Sequence, residues 1–227
     1  MRSNSRSDGQ SRSSFIEAAR RRQIVETAIR TIAARGYSRT SLAEIAREAG
    51  ISKGVISYHF AGKEELVEEI LSHLLREPSE FIKGRVDARE RAADKLQAYI
   101  AANFEMMKAH RDTYVALVDL WGSRESSEGR RHFDVGAYEP SRHYLAHILE
   151  DGHERGELRR LPLTTMASVI QAAIDGVMLQ WVFDSEAIDL DAARDEIQEM
   201  VTRHVRKDKP GFTGTETSEG IEKRKER

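Results

Sequence analysis

The sequence predicts an all-α fold of about nine helices. Three observations carry that reading. Only four of the 227 residues are proline and 33% are charged, with Ala, Leu, Glu and Arg abundant, a composition of strong helix formers. Apolar residues recur at i, i+3, i+4 and i+7 through most of the chain, the stripe of an amphipathic helix. Capping signals punctuate these stripes.

Residues 1–14, MRSNSRSDGQSRSS, are polar and lack the apolar centre of a signal peptide, so a disordered tail is expected there. Phe15 to Arg35 reads as the first helix. Ile24, Ala28, Ile29 and Ile32 form its stripe, and Gly36 closes it with Tyr37 just beyond. Arg20, Arg21 and Arg22 near its start suit phosphates and a solvated face about equally.

The most informative stretch follows, TSLAEIAREAGISKGVISYHF, residues 40–60. Ser41 and Glu44 have the spacing of a capping box, so a short helix starts there. Leu42, Ile45, Ala46 and Ala49 give it one buried face. Gly50 stands where a left-handed backbone is cheapest without a side chain. Ser52 caps the next short helix, Lys53 to about His59. Two helices joined by a tight Gly-containing turn form a helix-turn-helix unit, whose second helix can enter a DNA major groove.

Lys63 opens a fourth helix, with Glu64 and Glu65 in the first turn where carboxylates suit the dipole. Its stripe is Leu66, Ile70, Leu71, Leu74 and Leu75, and Pro78 is expected to end or kink it near Glu77. A second part begins near Val86. Residues 89–109 make a long helix with Leu96, Tyr99, Ile100, Asn103 and Met107 on one face. Tyr114, Leu117, Val118 and Trp121 stripe a shorter one, and GSRESSEGRRHFDVG reads as a polar loop. Tyr144, Leu145, Ile148 and Leu149 mark a helix that Gly152 to Gly156 terminates. Leu163 to Phe183 is apolar nearly all round and must be covered on more than one side. Leu190, Ala193, Ile197, Met200, Val201 and His204 stripe a last helix before a Lys/Glu-rich tail, residues 207–227, also expected to be disordered. The domains are therefore drawn at 15–62 for a three-helix DNA-binding unit and 63–206 for a helical ligand-binding and dimerisation unit.

Composition narrows the function. There are no cysteines, so disulfides and thiolate chemistry are excluded, which suits a reducing cytoplasm. No uninterrupted apolar run approaches the eighteen or so residues of a membrane span, and no membrane partner is expected. The net charge of −2 hides an asymmetry. Residues 1–60 carry 11 Lys/Arg against 5 Asp/Glu, a net of +6, and the rest carries 25 against 33, a net of −8. A basic end on an acidic protein is the footprint of a nucleic-acid module, and here it coincides with the helix-turn-helix.

The run TSLAEIAREAGISKGVISYHFAGKEEL closely resembles the signature of the tetracycline-repressor (TetR) family of transcriptional regulators. The likeness covers roughly residues 20–70. The rest matches in architecture, with RGELR, Asp175-Gly176 in a long apolar helix and a last amphipathic helix. Gly62 departs from the Ser that often caps the fourth helix in the family, and Gly caps acceptably. The resemblance implies that Lys53, Gly54, Val55, Ser57, Tyr58 and His59 face DNA. Lys53, His59 and the Tyr58 hydroxyl would meet phosphates, Gly54 would permit close approach, and Val55 and Ser57 would read bases. Thr40 and Lys63, at helix N-termini, suit a phosphate as well.

Two further sets of residues carry weaker signals. His143, His147 and Glu150 share a face at metal-ligand spacing, but it lies opposite the apolar stripe, so a solvated face is expected and no metal site. Asn103 stands inside an apolar stripe, where a buried amide needs a partner. With Phe104, Met107, Tyr114, Val118, Trp121 and Tyr144 it outlines a pocket for a small hydrophobic or aromatic effector; an ordinary core with one satisfied Asn fits the same residues. Surface left over on the last two helices points to a homodimer that reads a palindromic operator. The whole reads as a ligand-responsive repressor without cofactor. The alternative is a helical protein-interaction module whose helix-turn-helix no longer binds DNA. An enzyme is not supported, because no nucleophile–base pair or paired buried carboxylates are visible.

Overall fold

The computed structural model describes residues 5–123 and 139–207, and side chains from Ser14 onward. Nine α-helices account for them: α1 (Ser5–Arg35), α2 (Leu42–Glu48), α3 (Lys53–His59), α4 (Lys63–Asp87), α5 (Ala92–Ala109), α6 (Arg111–Ser123), α7 (Glu139–Glu154), α8 (Leu163–Phe183) and α9 (Leu190–Val205). Among the described residues there is no strand; one isolated bridge joins Leu158 and Arg206. The loop expected over residues 122–136 falls largely outside the described residues.

Two helices run further than the sequence led us to expect. α1 begins at Ser5 rather than Phe15, so residues 5–14 are helix and not tail. No proline stands between Ser5 and Arg35 to stop a helix from propagating backward. α4 passes through Pro78 to Asp87. A proline inside a helix costs about 3 kcal/mol. Beyond it, Ile82 and Val86 are buried against α5, worth roughly 1.5–3 kcal/mol each. The packing outweighs the lost hydrogen bond.

The side chains form two cores. One gathers Ile24, Ala28, Ile32, Ile45, Ile56 and Phe60 with Leu66, Ile70 and Leu74 from the first half of α4, and with Ala116, Leu117 and Leu120 from α6. The other holds α5, α7, α8, α9 and the second half of α4. The boundary between cores therefore falls inside α4, well past Lys63, and α6 from the second part is built into the first core. Gly152 marks the tightest contact of the second core. A Cβ there would stand 2.4 Å from the Ala92 Cβ and 2.6 Å from Leu158 Cδ1.

α8 qualifies one expectation: by length and composition it is apolar enough to cross a membrane. Its inner stripe, Met166, Ile170, Gln171, Ile174, Met178 and Trp181, is buried in the core, which is how a core helix passes the same test. Its outer stripe, Val169, Ala172, Gly176, Leu179 and Phe183, is repeated at spacings of three and four; Val169, Leu179 and Phe183 are 55%, 42% and 76% exposed. On α9, Met200 and His204 are exposed, contrary to the expected stripe, while Leu190, Ile197, Val201 and Val205 are buried. Met200 is one residue, or about 100°, from Val201, and so lies outside the buried arc.

Candidate nucleic-acid interface and effector cavity

The helix-turn-helix forms through local hydrogen bonds that its sequence specifies. Ser41 Oγ accepts from the Glu44 N–H at 3.2 Å, and the Ser41 N–H donates to Glu44 Oε2 at 2.9 Å, closing the capping box. The Ser41 N–H first, and then the Ser41 hydroxyl donating to Glu44 Oε2, hold the half-buried Glu44 carboxyl below its usual range. Gly50 turns the chain at φ +66°, and the Ile51 N–H returns to the Ala46 carbonyl at 3.0 Å. Ser52 Oγ accepts from the Val55 N–H at 3.3 Å and starts α3.

α3 buries Ile56 and, at its C-cap, Phe60. Its outer face carries Lys53, Gly54, Ser57 and Tyr58, all exposed, with Val55 and His59 half-buried at the edges. Tyr58 is 74% exposed; its ring meets that of His59 edge-on at 5.0 Å, and its hydroxyl donates to Glu17 Oε1 at 3.5 Å. An exposed aromatic of this size on a short helix is free to meet a ligand.

Two residues assigned to phosphate contact are engaged within the protein. Thr40 is 2% exposed, and its hydroxyl donates to the Gly36 carbonyl at 2.8 Å; Ser41, not Thr40, caps α2. Lys63 Nζ donates to the Tyr37 carbonyl at 2.9 Å and sits 3.9 Å over the Tyr37 ring. Partial burial lowers the Lys63 pKa from its ordinary value. The Lys63 contact joins segments 26 positions apart, which sequence spacing does not bring together, whereas the Thr40 bond closes locally over four residues. Arg21, read as suiting a phosphate or a solvated face, is turned inward instead. Its guanidinium donates to the His59 carbonyl at the end of α3, pairs with Glu69 at 3.0 Å and lies 4.3 Å from the Phe60 ring centre. Arg22, by contrast, is exposed and paired with Glu26.

The second site is a cavity of about 100 Å³ between α4, α5, α6 and α8. Asn103, Met107, Tyr114 and Trp121 line it, joined by Leu74, Leu75, Pro78, Leu117, Tyr99, Gln171 and Asp175. Tyr144 lines an adjoining space of about 290 Å³ that shares Ser79, Ile82, Tyr99 and Ser141. Phe104 and Val118 line neither. Phe104 is 1% exposed in the core, and each lies one residue round its helix from a lining position. Asn103 finds its partner in the Tyr99 carbonyl, at 2.9 Å.

The polar wall is a relay. The Tyr99 hydroxyl donates to Gln171 Oε1 at 2.6 Å, and Gln171 Nε2 donates to Asp175 Oδ1 at 2.9 Å. Burial pushes the Tyr99 phenol up to about 12, and burial with the Asp175 charge raises Tyr114 further. Both phenols are neutral at physiological pH. No Lys or Arg is among the described residues lining the smaller cavity. The three histidine-face residues stay outside: His143, His147 and Glu150 are exposed, and no metal-binding cluster occurs among the described residues.

An exposed-faced helix-turn-helix joined to a helical domain with a cavity defines a DNA-binding regulator. Comparison with known proteins agrees. Residues 24–70 match the bacterial regulatory proteins of the tetR family, and residues 92–207 match the BetI-type transcriptional repressor C-terminal domain. The chain belongs to the TetR family and is a transcriptional regulator, not an enzyme. It is 30% identical to the HTH-type transcriptional regulator BetI of Brucella anthropi over 173 residues, covering 76% of this chain and 86% of that protein. It is 27% identical to BetI of Paraburkholderia phymatum, covering 78% and 89%. In fold it resembles a putative transcriptional regulator from Saccharomonospora viridis in complex with choline, at TM-score 0.74 and 23% identity, covering 84% of this chain and 99% of that one. FadR from Bacillus subtilis in complex with stearoyl-CoA aligns at TM-score 0.68 and 23% identity, covering 81% and 98%.

Proposed function

We propose that the chain is a cytoplasmic, homodimeric repressor that holds a palindromic operator and releases it when a small organic cation enters the cavity. The observation that supports the DNA half is the outer face of α3, solvent-exposed on the basic end of an acidic protein. Lys53 and His59 meet phosphates, joined by the Tyr58 hydroxyl; Val55 and Ser57 read bases, with Gly54 allowing the backbone close. Thr40 and Lys63 support this face from within, the Thr40 hydroxyl donating to the Gly36 carbonyl and Lys63 Nζ to the Tyr37 carbonyl.

A single seven-residue helix reads few bases, and a dimer reads two half-sites about 34–36 Å apart or at multiples of that spacing. The outer stripe of α8 supports the dimer: Val169, Leu179 and Phe183 flank Ala172 and Gly176, small residues that let a second α8 approach. Met200 on α9 is a further exposed apolar side chain.

The cavity favours a cation over a neutral aromatic compound. Its aromatic faces attract positive charge, Asp175 supplies a carboxylate, and no basic lining residue opposes one. Its size suits a headgroup such as the choline bound by the Saccharomonospora viridis neighbour. Effector and operator then disfavour one another reciprocally, because each selects a different spacing of the two recognition helices. The test is a gel shift with DNA from upstream of the chain's own gene. Salt-sensitive binding weakened by millimolar choline and untouched by acetate is expected. Binding without any choline response would overturn the effector class, and absence of DNA binding would favour the protein-interaction reading.

A further inference from the structure

One residue, Tyr37, is held by both of its backbone groups from two helices that wall the cavity. From α6, Asp119 Oδ2 accepts the Tyr37 N–H at 2.5 Å. From α4, Lys63 Nζ donates to the Tyr37 carbonyl at 2.9 Å and covers the ring. Tyr37 lies in the turn that carries α1 into α2, and α2 leads directly into the recognition helix α3.

The same two helices reach the effector. Asp119 lies midway between Leu117 and Trp121, which line the cavity. Lys63 is the first residue of α4, whose Leu74 and Pro78 line it about 17 and 22 Å further along the axis. A ligand that spreads α6 from α4 at the cavity therefore changes the register of two grips on one residue, on the peptide groups either side of Tyr37. Leu117 and Leu120 of α6 are also packed into the first core, independently of the grips.

We infer that Asp119 and Lys63 form a clasp on Tyr37 that transmits the state of the cavity to the recognition helix. They are positioning residues; neither touches the cavity or the outer face of α3. The inference rests on the proposed DNA-binding function and adds to it the contact through which the two sites communicate. Leu117 couples the same elements through packing, but packing alone tolerates the sliding that a hydrogen bond to a fixed peptide resists.

The test needs no knowledge of the natural effector, because bulky substitutions in the cavity take its place. Asn103→Trp and, independently, Ser141→Trp are measured for affinity to the upstream DNA in full-length protein. Each is combined with Asp119→Ala, Asp119→Asn or Lys63→Met, as a double-mutant cycle. In the native background the Trp substitutions are expected to change DNA affinity at least tenfold. With Asp119→Ala or Lys63→Met the change shrinks to less than twofold. Asp119→Asn, which keeps an oxygen to accept the Tyr37 N–H, retains it. The same change in every background overturns the clasp, and so does no change in the native one. If Asp119→Ala does not fold, Lys63→Met makes the same comparison. Failure of the native chain to bind any DNA is read first and overturns the function and the clasp together.

Discussion

Arg21→Ala is the substitution whose effect the structure defines best. Besides a looser pair with Glu65 at 3.8 Å, the side chain makes three contacts at the junction of α1, α3 and α4. Its charged donation to the His59 carbonyl is worth about 1.5–3 kcal/mol. The pair with Glu69, with side chains 34% and 38% exposed, adds at most about 1 kcal/mol. The stacking over Phe60 adds about 0.5–1 kcal/mol. One group serves all three, so they do not add fully, and a loss of about 3 kcal/mol is expected. For a chain of this size that lowers Tm by roughly 6–12 °C, read by circular dichroism melting. Arg22→Ala is the internal control. Its side chain is 65% exposed with an i,i+4 partner, so a melting point close to that of the native protein is expected. Arg21→Lys restores less than half, because an ammonium cannot serve the carbonyl, the carboxylate and the ring together. Equal melting points for Arg21→Ala and Arg22→Ala would refute the reasoning.

Three other outcomes follow from the same geometry. Gly152→Ala drives a methyl into Ala92 and Leu158 and should cost about 1–3 kcal/mol in urea denaturation, with DNA contacts untouched. Lys53→Ala should lower the slope of log affinity against log salt by about 0.9, the loss of one phosphate contact, whereas Val55→Ala should weaken binding without changing the slope. Glu44 has a folded-state pKa below its unfolded value, so its contribution is present above about pH 4.5 and lost as pH falls through the folded value. The stability gap between native protein and Glu44→Gln should therefore close on acidification, and a gap that widens would contradict the capping box.

The two sites differ in how far they could be read from the residues. Ser41, Glu44, Gly50 and Ser52 place α2 and α3 with the turn between them, since each acts on backbone within five positions of itself. The cavity was visible only in outline. Asn103, Met107, Tyr114 and Trp121 reach it, but Phe104 and Val118 differ from them by one step of helix rotation that stripes do not resolve. Pro78 read as a stop or a kink because its local cost is plain in the sequence, while the burial of Ile82 and Val86 that carries the helix past it is not.

What the sequence determined by itself is the reading head and the helical class. Capping, turn chemistry and a 3.6-residue period are local properties, complete within about twenty residues. Tertiary structure decided which polar groups are available. Arg21 meets His59 across 38 positions, and Tyr37 meets Asp119 across 82. Such pairings depend on how helices cross, and the crossing is set by the whole of two cores rather than by any residue in them. That is why Lys63 read as a phosphate ligand in the chain, while in the fold its ammonium ties the Tyr37 carbonyl 26 positions away.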